Sequence, residues 1–315
     1  LSMPTPAPAP AAAPADLRLT PRSTADLVVL AAIWGASFLS IRLALDEVSV
    51  LSSVCHRVGW AALLLWGAVL ASGAPMPRGW RIWAALLVMG ALNNALPFSL
   101  MAWGQLHIET GLTSILNAAT AIWAAGAAAL IFADERITWH RGLGIALGFA
   151  GVVTIVGPEA LAGFDLRSAG QMAVIAGTLS YAAASVWARR HLSGLPPAVA
   201  AAGMLTGSTL ILIPATLALE GGIDLPSTVT GLAAIAFYAV FGTALAYLLY
   251  YRLVRSTGAG GAMLVTLLIP PVAIALGALV LGERLSPGAF AGFGILAAGL
   301  AVLLTPPRRR RNALP

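Results

Sequence analysis

Residues 110–136 read TGLTSILNAATAIWAAGAAALIFADER. No charged residue falls between Gly111 and Phe132, and then Asp134, Glu135 and Arg136 arrive together. A helix needs about 20 apolar residues to cross hydrocarbon, and a charged cluster is what ends such a span at a headgroup layer. The same closure recurs 148 residues later, where Leu281-Gly282-Glu283-Arg284 ends another apolar run as Ala133-Asp134-Glu135-Arg136 ends the first. That shift also superposes Gly144 on Gly292 and Gly151 on Gly299. The chain therefore reads as one helical membrane unit written twice.

Working outward, 59% of the 315 residues are hydrophobic and 10% are charged, against about 25% charged in a soluble domain. A soluble fold of this size cannot cover itself with so few polar side chains. Spans are read at 25–45, 51–72, 81–104, 110–132, 138–157, 168–189, 196–219, 228–252, 259–281 and 287–305. Charge, Pro or Gly marks each break, including Gly73 to Gly79, Pro158 to Arg167 and Arg252 to Gly258. The expected fold is all-α integral membrane, with ten transmembrane helices as two inverted five-helix repeats around a central cavity. Residues 1–24 are expected to be a disordered tail, 25–157 the first repeat, 168–305 the second and 306–315 a basic tail. Cys55 is the one cysteine, so no internal disulfide forms.

All eighteen basic residues are arginine, the bias of a GC-rich bacterial genome. With both ends in the cytoplasm, fourteen of them fall inside, and only Arg42, Arg57, Arg167 and Arg284 fall outside. Deleting one span or flipping the chain destroys that bias. An odd number of spans per repeat makes the two halves face opposite ways, the arrangement many transporters use for alternating access. The expected location is a bacterial inner membrane, multi-pass, with both termini cytoplasmic.

Trp34-Gly35-Ala36-Ser37-Phe38 in the first span, Arg57 early in the second and the two Glu-Arg closures resemble the EamA-type domain of the drug/metabolite transporter superfamily. The resemblance covers roughly 25–305, as two EamA-type repeats, and within the superfamily it is nearest to the YddG-like exporters of aromatic and other neutral amino acids. It implies ten helices, a cavity between the halves and metabolite export. One departure is the absence of the usual proline in the middle of the fourth span, which reads Ala118-Ala119-Thr120-Ala121, whereas the ninth holds Pro270-Pro271. Asymmetric helix breaking between the halves is therefore expected.

Ionisable groups inside a bilayer are costly and usually functional. No Asp or Glu sits in the middle of any span, so proton antiport through a buried carboxylate has no candidate. His56-Arg57 is the pair lying at some depth. Arg57 either snorkels to the headgroups or serves gating or a substrate carboxylate.

In the third span Asn94, Phe98 and Met101 share a face, with Asn93 about 100° away. Asn117 and Thr120 belong to a polar stripe in the fourth. These amides either join helices, at about 1 kcal/mol each, or line a cavity. Trp34, Trp123 and Tyr181 lie deep, while Tyr238, Thr243 and Tyr247 run along the eighth span. Singly each is packing or lipid contact; as a set they suit a substrate with a flat or apolar side chain. Ser37, Phe38, Ser185, Met263 and Thr266 complete the candidate wall. Pro97, Pro270 and Pro271 read as static kinks or as hinges. The glycines of the tenth span point to close packing or a dimer face.

The partners expected are a small-molecule substrate and the lipid bilayer, with no nucleic acid, no metal and no cofactor, and a monomer is favoured over a homodimer. The rival class, an intramembrane enzyme, lacks an aspartyl pair and a His with a Ser partner. A channel would need a charged ring or filter, and none repeats here.

Overall fold

The computed structural model describes residues 20–132, 139–156 and 166–305. Every regular element among them is helical: α1 (Pro21–Ala44), α2 (Val50–Ala71), α3 (Trp80–Gly104), α4 (Thr110–Ile131), α5 (Trp139–Val156), α6 (Leu166–His191), α7 (Pro197–Leu219), α8 (Val229–Ala236, continuing through Phe237–Leu245 into Ala246–Met263), α9 (Val265–Leu281) and α10 (Pro287–Leu304). Six are long and apolar enough to cross a membrane: α1 to α4, α7 and the Val229–Thr257 part of α8. Gly142–Ile155, Val265–Leu281 and Pro287–Leu303 are shorter apolar helices. Large apolar side chains face outward, Leu130, Val229 and Leu279 among them, which suits lipid as the solvent. The first Glu-Arg closure, the 158–165 break and the terminal arginines lie outside the described residues.

Packing follows an approximate two-fold exchange of the repeats. Helix α1 lies against α8 and α9, and its counterpart α6 lies against α3 and α4. Helices α2 and α7, α4 and α9, and α5 and α10 pair with their own counterparts. The glycines show this at atomic scale. A Cβ on Gly144 would sit 2.9 Å from the carbonyl oxygen of Gly299, and one on Gly292 would sit 2.8 Å from that of Gly151. Those two contacts exchange under the 148-residue shift. Small residues let the α5 and α10 backbones approach, so these glycines serve a seam within the chain.

The halves run in opposite directions. Leu86 meets Gly203 and Gly90 meets Gly207, so α3 and α7 are parallel and finish together. The resulting end carries Glu47, Glu109, Glu220 and Glu283 and is called the Glu220 end; the opposite one is the Arg252 end. Helix α1 runs toward the Glu220 end, whereas α6 starts there, with Arg167 paired to Glu109 at 3.0 Å.

Five local features differ from the sequence reading. Thr20 and Ser23 form a capping box with Pro21 at the first helical position, so 21–24 are helical instead of tail. The break expected at Arg252 to Gly258 is helical, because the stretch has no proline and the hydroxyls of Ser256 and Thr257 bond back to the Leu253 carbonyl. Helix α4 is interrupted at Ala119 without a proline, through tightened bonds such as Ile122 N–H to Ala119 O at 3.0 Å. Helix α9 stays helical through Pro270 and Pro271. Finally, α3 widens to a π-helix at Ala91–Ala95 and α8 does so at Phe237–Leu245, equivalent positions in the two repeats.

Candidate functional site

A π segment shifts backbone hydrogen bonding from i−4 to i−5 and exposes carbonyls. Here side chains take them up, three from the opposite repeat and one from the same helix. In α8, the Trp34 indole N–H donates to the Gly242 carbonyl at 3.1 Å, and the Thr243 hydroxyl donates to the Tyr238 carbonyl at 2.8 Å. In α3, the hydroxyls of Ser180 (α6) and Ser208 (α7) donate to Leu92 O and Gly90 O at 2.7 and 3.0 Å. Gly35, beside Trp34, has its own reason. A Cβ there would lie 2.6 Å from Val272 Cβ and 3.1 Å from Ile269 O, which bracket Pro270 and Pro271. The Trp-Gly pair thus fits α1 to both α8 and α9.

Arg57 turns inward from α2. Its Nε donates to Thr243 Oγ1 at 3.0 Å, and its guanidinium carbon lies 3.8 Å from the centre of the Phe98 ring and 6.0 Å from that of Tyr238. Such stacking contributes about 2 kcal/mol when desolvated, and it holds the guanidinium plane in place. Among the described residues no carboxylate pairs with Arg57. Its two terminal nitrogens make no hydrogen bond there either. Tyr238 is fully enclosed, with its hydroxyl donating to the Ser53 carbonyl at 3.0 Å.

On the neighbouring turn of α3, Asn94 is fully buried. Its Oδ1 accepts from the Tyr247 hydroxyl at 2.9 Å, and its Nδ2 has no partner. Asn93 also reaches Tyr247, donating to its hydroxyl at 3.3 Å. An α-helix would point the two asparagines about 100° apart; the widened turn brings both to one tyrosine. Tyr181 stands edge-on to Phe98 at 6.4 Å. Below it, Tyr247, Tyr251, Tyr250 and Trp34 follow one another at centroid spacings of 6.3, 5.7 and 5.8 Å toward the Arg252 end.

The other candidates are more dispersed. Ser37 donates to its own helix at Ile33 O, 2.8 Å away. Phe38, Met101 and Pro97 are buried, the last two against Gly177. Trp123 donates to the Thr178 hydroxyl at 3.1 Å. Thr120 Oγ1 is buried without a partner, and the half-buried Asn117 amide makes no hydrogen bond among the described residues. Ser185 is exposed on the face of α6 opposite Leu179 and Ala183, hence away from that helix's lipid side. Thr266 is half-buried, and the Met263 side chain lies outside the described residues. Asn93, Tyr251, Ser53 and Ser180 join the constellation without having been singled out. The adjacent asparagines were the one visible signal.

The Glu220 end is closed by carboxylates that cap helices of the other repeat. Glu220 accepts from the backbone of Leu51 and Ser52 and from the Ser49 hydroxyl at 2.5 Å, at the start of α2. Glu283 accepts from Thr110 and Gly111 at 2.8 and 3.2 Å, at the start of α4. Glu47 accepts from Ser227, Thr228 and the Thr228 hydroxyl, at the start of α8. Helix N-termini favour negative charge. The bonds from Thr228 hold the Glu47 carboxyl below its ordinary range, and those from Ser49 do the same for Asp224. At the Arg252 end, Arg252 and Asp26 form a two-pronged pair joining α8 to α1. Among the described residues no cluster of His, Cys, Asp and Glu could hold a metal.

The family model of the EamA-like transporter family matches residues 25–157 and again 168–305. A probable terminal-alkyne amino-acid exporter of Streptantibioticus cattleyicolor is 27% identical over 92% of this chain and 96% of that protein. The uncharacterized inner membrane transporter YedA of Escherichia coli K12 is 25% identical over 86% of each. A probable amino-acid metabolite efflux pump of Salmonella typhimurium is also 25% identical, over 91% and 96%. A protein crystal structure superposes with a TM-score of 0.63 at 15% identity, covering 89% of this chain and 96% of that one, a likeness of fold.

Proposed function

The chain belongs to the EamA-like transporter family, and from that premise we propose that it exports small metabolites, namely aromatic and other neutral amino acids, by alternating access. The observation that carries this reading is Arg57. A cation held within a membrane span without a counter-ion is costly, and the half-buried Arg57 has, among the described residues, one hydroxyl as hydrogen-bond partner and two aromatic rings beside it. A substrate carboxylate supplies the missing charge and can accept both terminal N–H groups at once. The unpartnered Asn94 Nδ2 offers a further donor one turn away. Phe98, Tyr181, Tyr247 and Tyr250 present ring faces for the side chain. A cationic drug has the wrong charge for this site.

Gating follows from the two ends. The carboxylate caps tie the halves together at the Glu220 end, so opening there breaks them while the Arg252 end closes. The arginine distribution assigns the Glu220 end to the periplasm and both termini to the cytoplasm. The acids described in the structure lie at helix ends, so export runs down the substrate gradient without a proton relay. Pro270 and Pro271, whose flanking Ile269 and Val272 close on Gly35, are the hinge of this cycle.

Counterflow into proteoliposomes, with labelled neutral amino acids and their carboxamides, tests the reading. Amino acids should accumulate and the amides, lacking the carboxylate, should not. Equal movement of both removes Arg57 from substrate recognition.

A further inference from the structure

A groove of about 580 Å³ opens on the outer face between α4 and α6. Gly126 and Leu130 of α4 and Leu179, Ala183 and Val186 of α6 line it. Leu130 is 80% exposed and Leu179 50%, so the groove faces the bilayer hydrocarbon. Its floor has room. A Cβ on Gly126 would meet only Ile145 Cδ1, at 4.0 Å.

The groove is not uniform along its length. From Leu179 to Arg190 it runs eleven residues of α6, about 16 Å at about 1.5 Å per residue. One leaflet contributes about 15 Å of hydrocarbon. At the Arg252 end the lining turns basic, with Arg190 and His191. Both are exposed. Arg190 makes no ion pair among the described residues and contacts the Phe132 ring at 5.5 Å. His191 stacks on Trp187 at 3.9 Å, with a ring nitrogen 3.2 Å from the Trp187 carbonyl. Among the described residues no carboxylate stands in the lining.

We propose that this groove is a binding site for an anionic phospholipid. One acyl chain lies on the α4/α6 floor, and the phosphate sits against Arg190 and His191. The match to one leaflet's depth selects a lipid over a water-soluble anion, and the basic Arg190–His191 end of the lining, which holds no carboxylate among the described residues, selects an anionic headgroup over a zwitterionic one. At its deep end the groove reaches Leu92, in the π segment that carries Asn93 and Asn94, so the occupant packs beside the interior of the protein.

Thermal unfolding of the purified full chain in detergent tests this, with dioleoyl phosphatidylglycerol, dioleoyl phosphatidylcholine or glycerol phosphate added. Phosphatidylglycerol should raise the midpoint by several degrees, the other two by much less. Arg190→Gln should lose that increment from the headgroup side and Gly126→Leu from the floor side, each with its lipid-free midpoint close to the parent's. Equal shifts from both lipids overturn the proposal. So does a phosphatidylglycerol shift that survives both variants, or one lost in Gly126→Leu but kept in Arg190→Gln, which marks a greasy groove without headgroup selection. A shift from glycerol phosphate equal to that of the lipid overturns the acyl-chain half.

Discussion

Arg57 sits where two costs meet. Its charge is half-buried within a membrane span with no carboxylate partner among the described residues, and its planar group is fixed on Phe98 by geometry that a lysine ammonium does not reproduce. Arg57→Gln should therefore reduce amino-acid counterflow at least tenfold with a folded protein, and Arg57→Lys should restore only part of it; initial rates at matched protein content check both. Tyr247→Phe removes the donor to Asn94 and the acceptor for Asn93 together. Leaving a buried amide unpaired costs about 1–3 kcal/mol, so its melting midpoint should fall by a few degrees, which fluorescence-detected unfolding will read. The depth of Arg57 was legible from its position in an apolar run. Its inward turn was not, because snorkelling and stacking use the same stem and only the neighbours decide. Asn93 shows a sharper limit. Facing by helical period placed it away from Asn94, and the π turn that reunites them depends on carbonyl partners such as Ser180, 88 residues distant.

Between elements, the seams and caps carry the assembly. A side chain at Gly151 would strike the Leu296 backbone nitrogen at 2.7 Å, whereas Gly294 on the same α10 has nothing within 4 Å. Gly151→Leu should abolish a monodisperse peak in size-exclusion chromatography and Gly294→Leu should leave it unchanged. The carboxylate caps add a pH dependence. Glu47 and Asp224 have folded values below their unfolded ones, so their contribution is complete above the ordinary carboxylate range and is lost as pH falls through the depressed values. The melting midpoint should drop on the acid limb, and Glu47→Gln should flatten that limb while lowering the neutral plateau. The span positions followed from hydropathy and charge, and the glycine periodicity pointed to the α5–α10 seam. Caps that cross from one repeat to the other were out of reach, since Glu47 and Glu220 meet partners more than 160 residues away. The α8–α9 connection was misplaced for a simpler reason. Two arginines and a glycine at 252–258 look like a loop, yet hydroxyls at Ser256 and Thr257 let the helix continue.

At the scale of the whole molecule, an inverted pair of five-helix units surrounds a polar and aromatic interior in which Arg57 has no carboxylate partner among the described residues. The repeat was legible from a few glycines and a Glu-Arg pair, because close backbone contact tolerates no substitute there. The interior's specificity was only partly so, because it depends on where π turns aim their side chains. Most direct is counterflow of labelled neutral aromatic amino acids into proteoliposomes without a pH gradient, comparing the parent with Arg57→Gln of equal thermal stability. The prediction is saturable movement in the parent and near-background movement in the variant. Undiminished movement in Arg57→Gln, or a parent that neither moves nor is thermally protected by any neutral amino acid, contradicts the account.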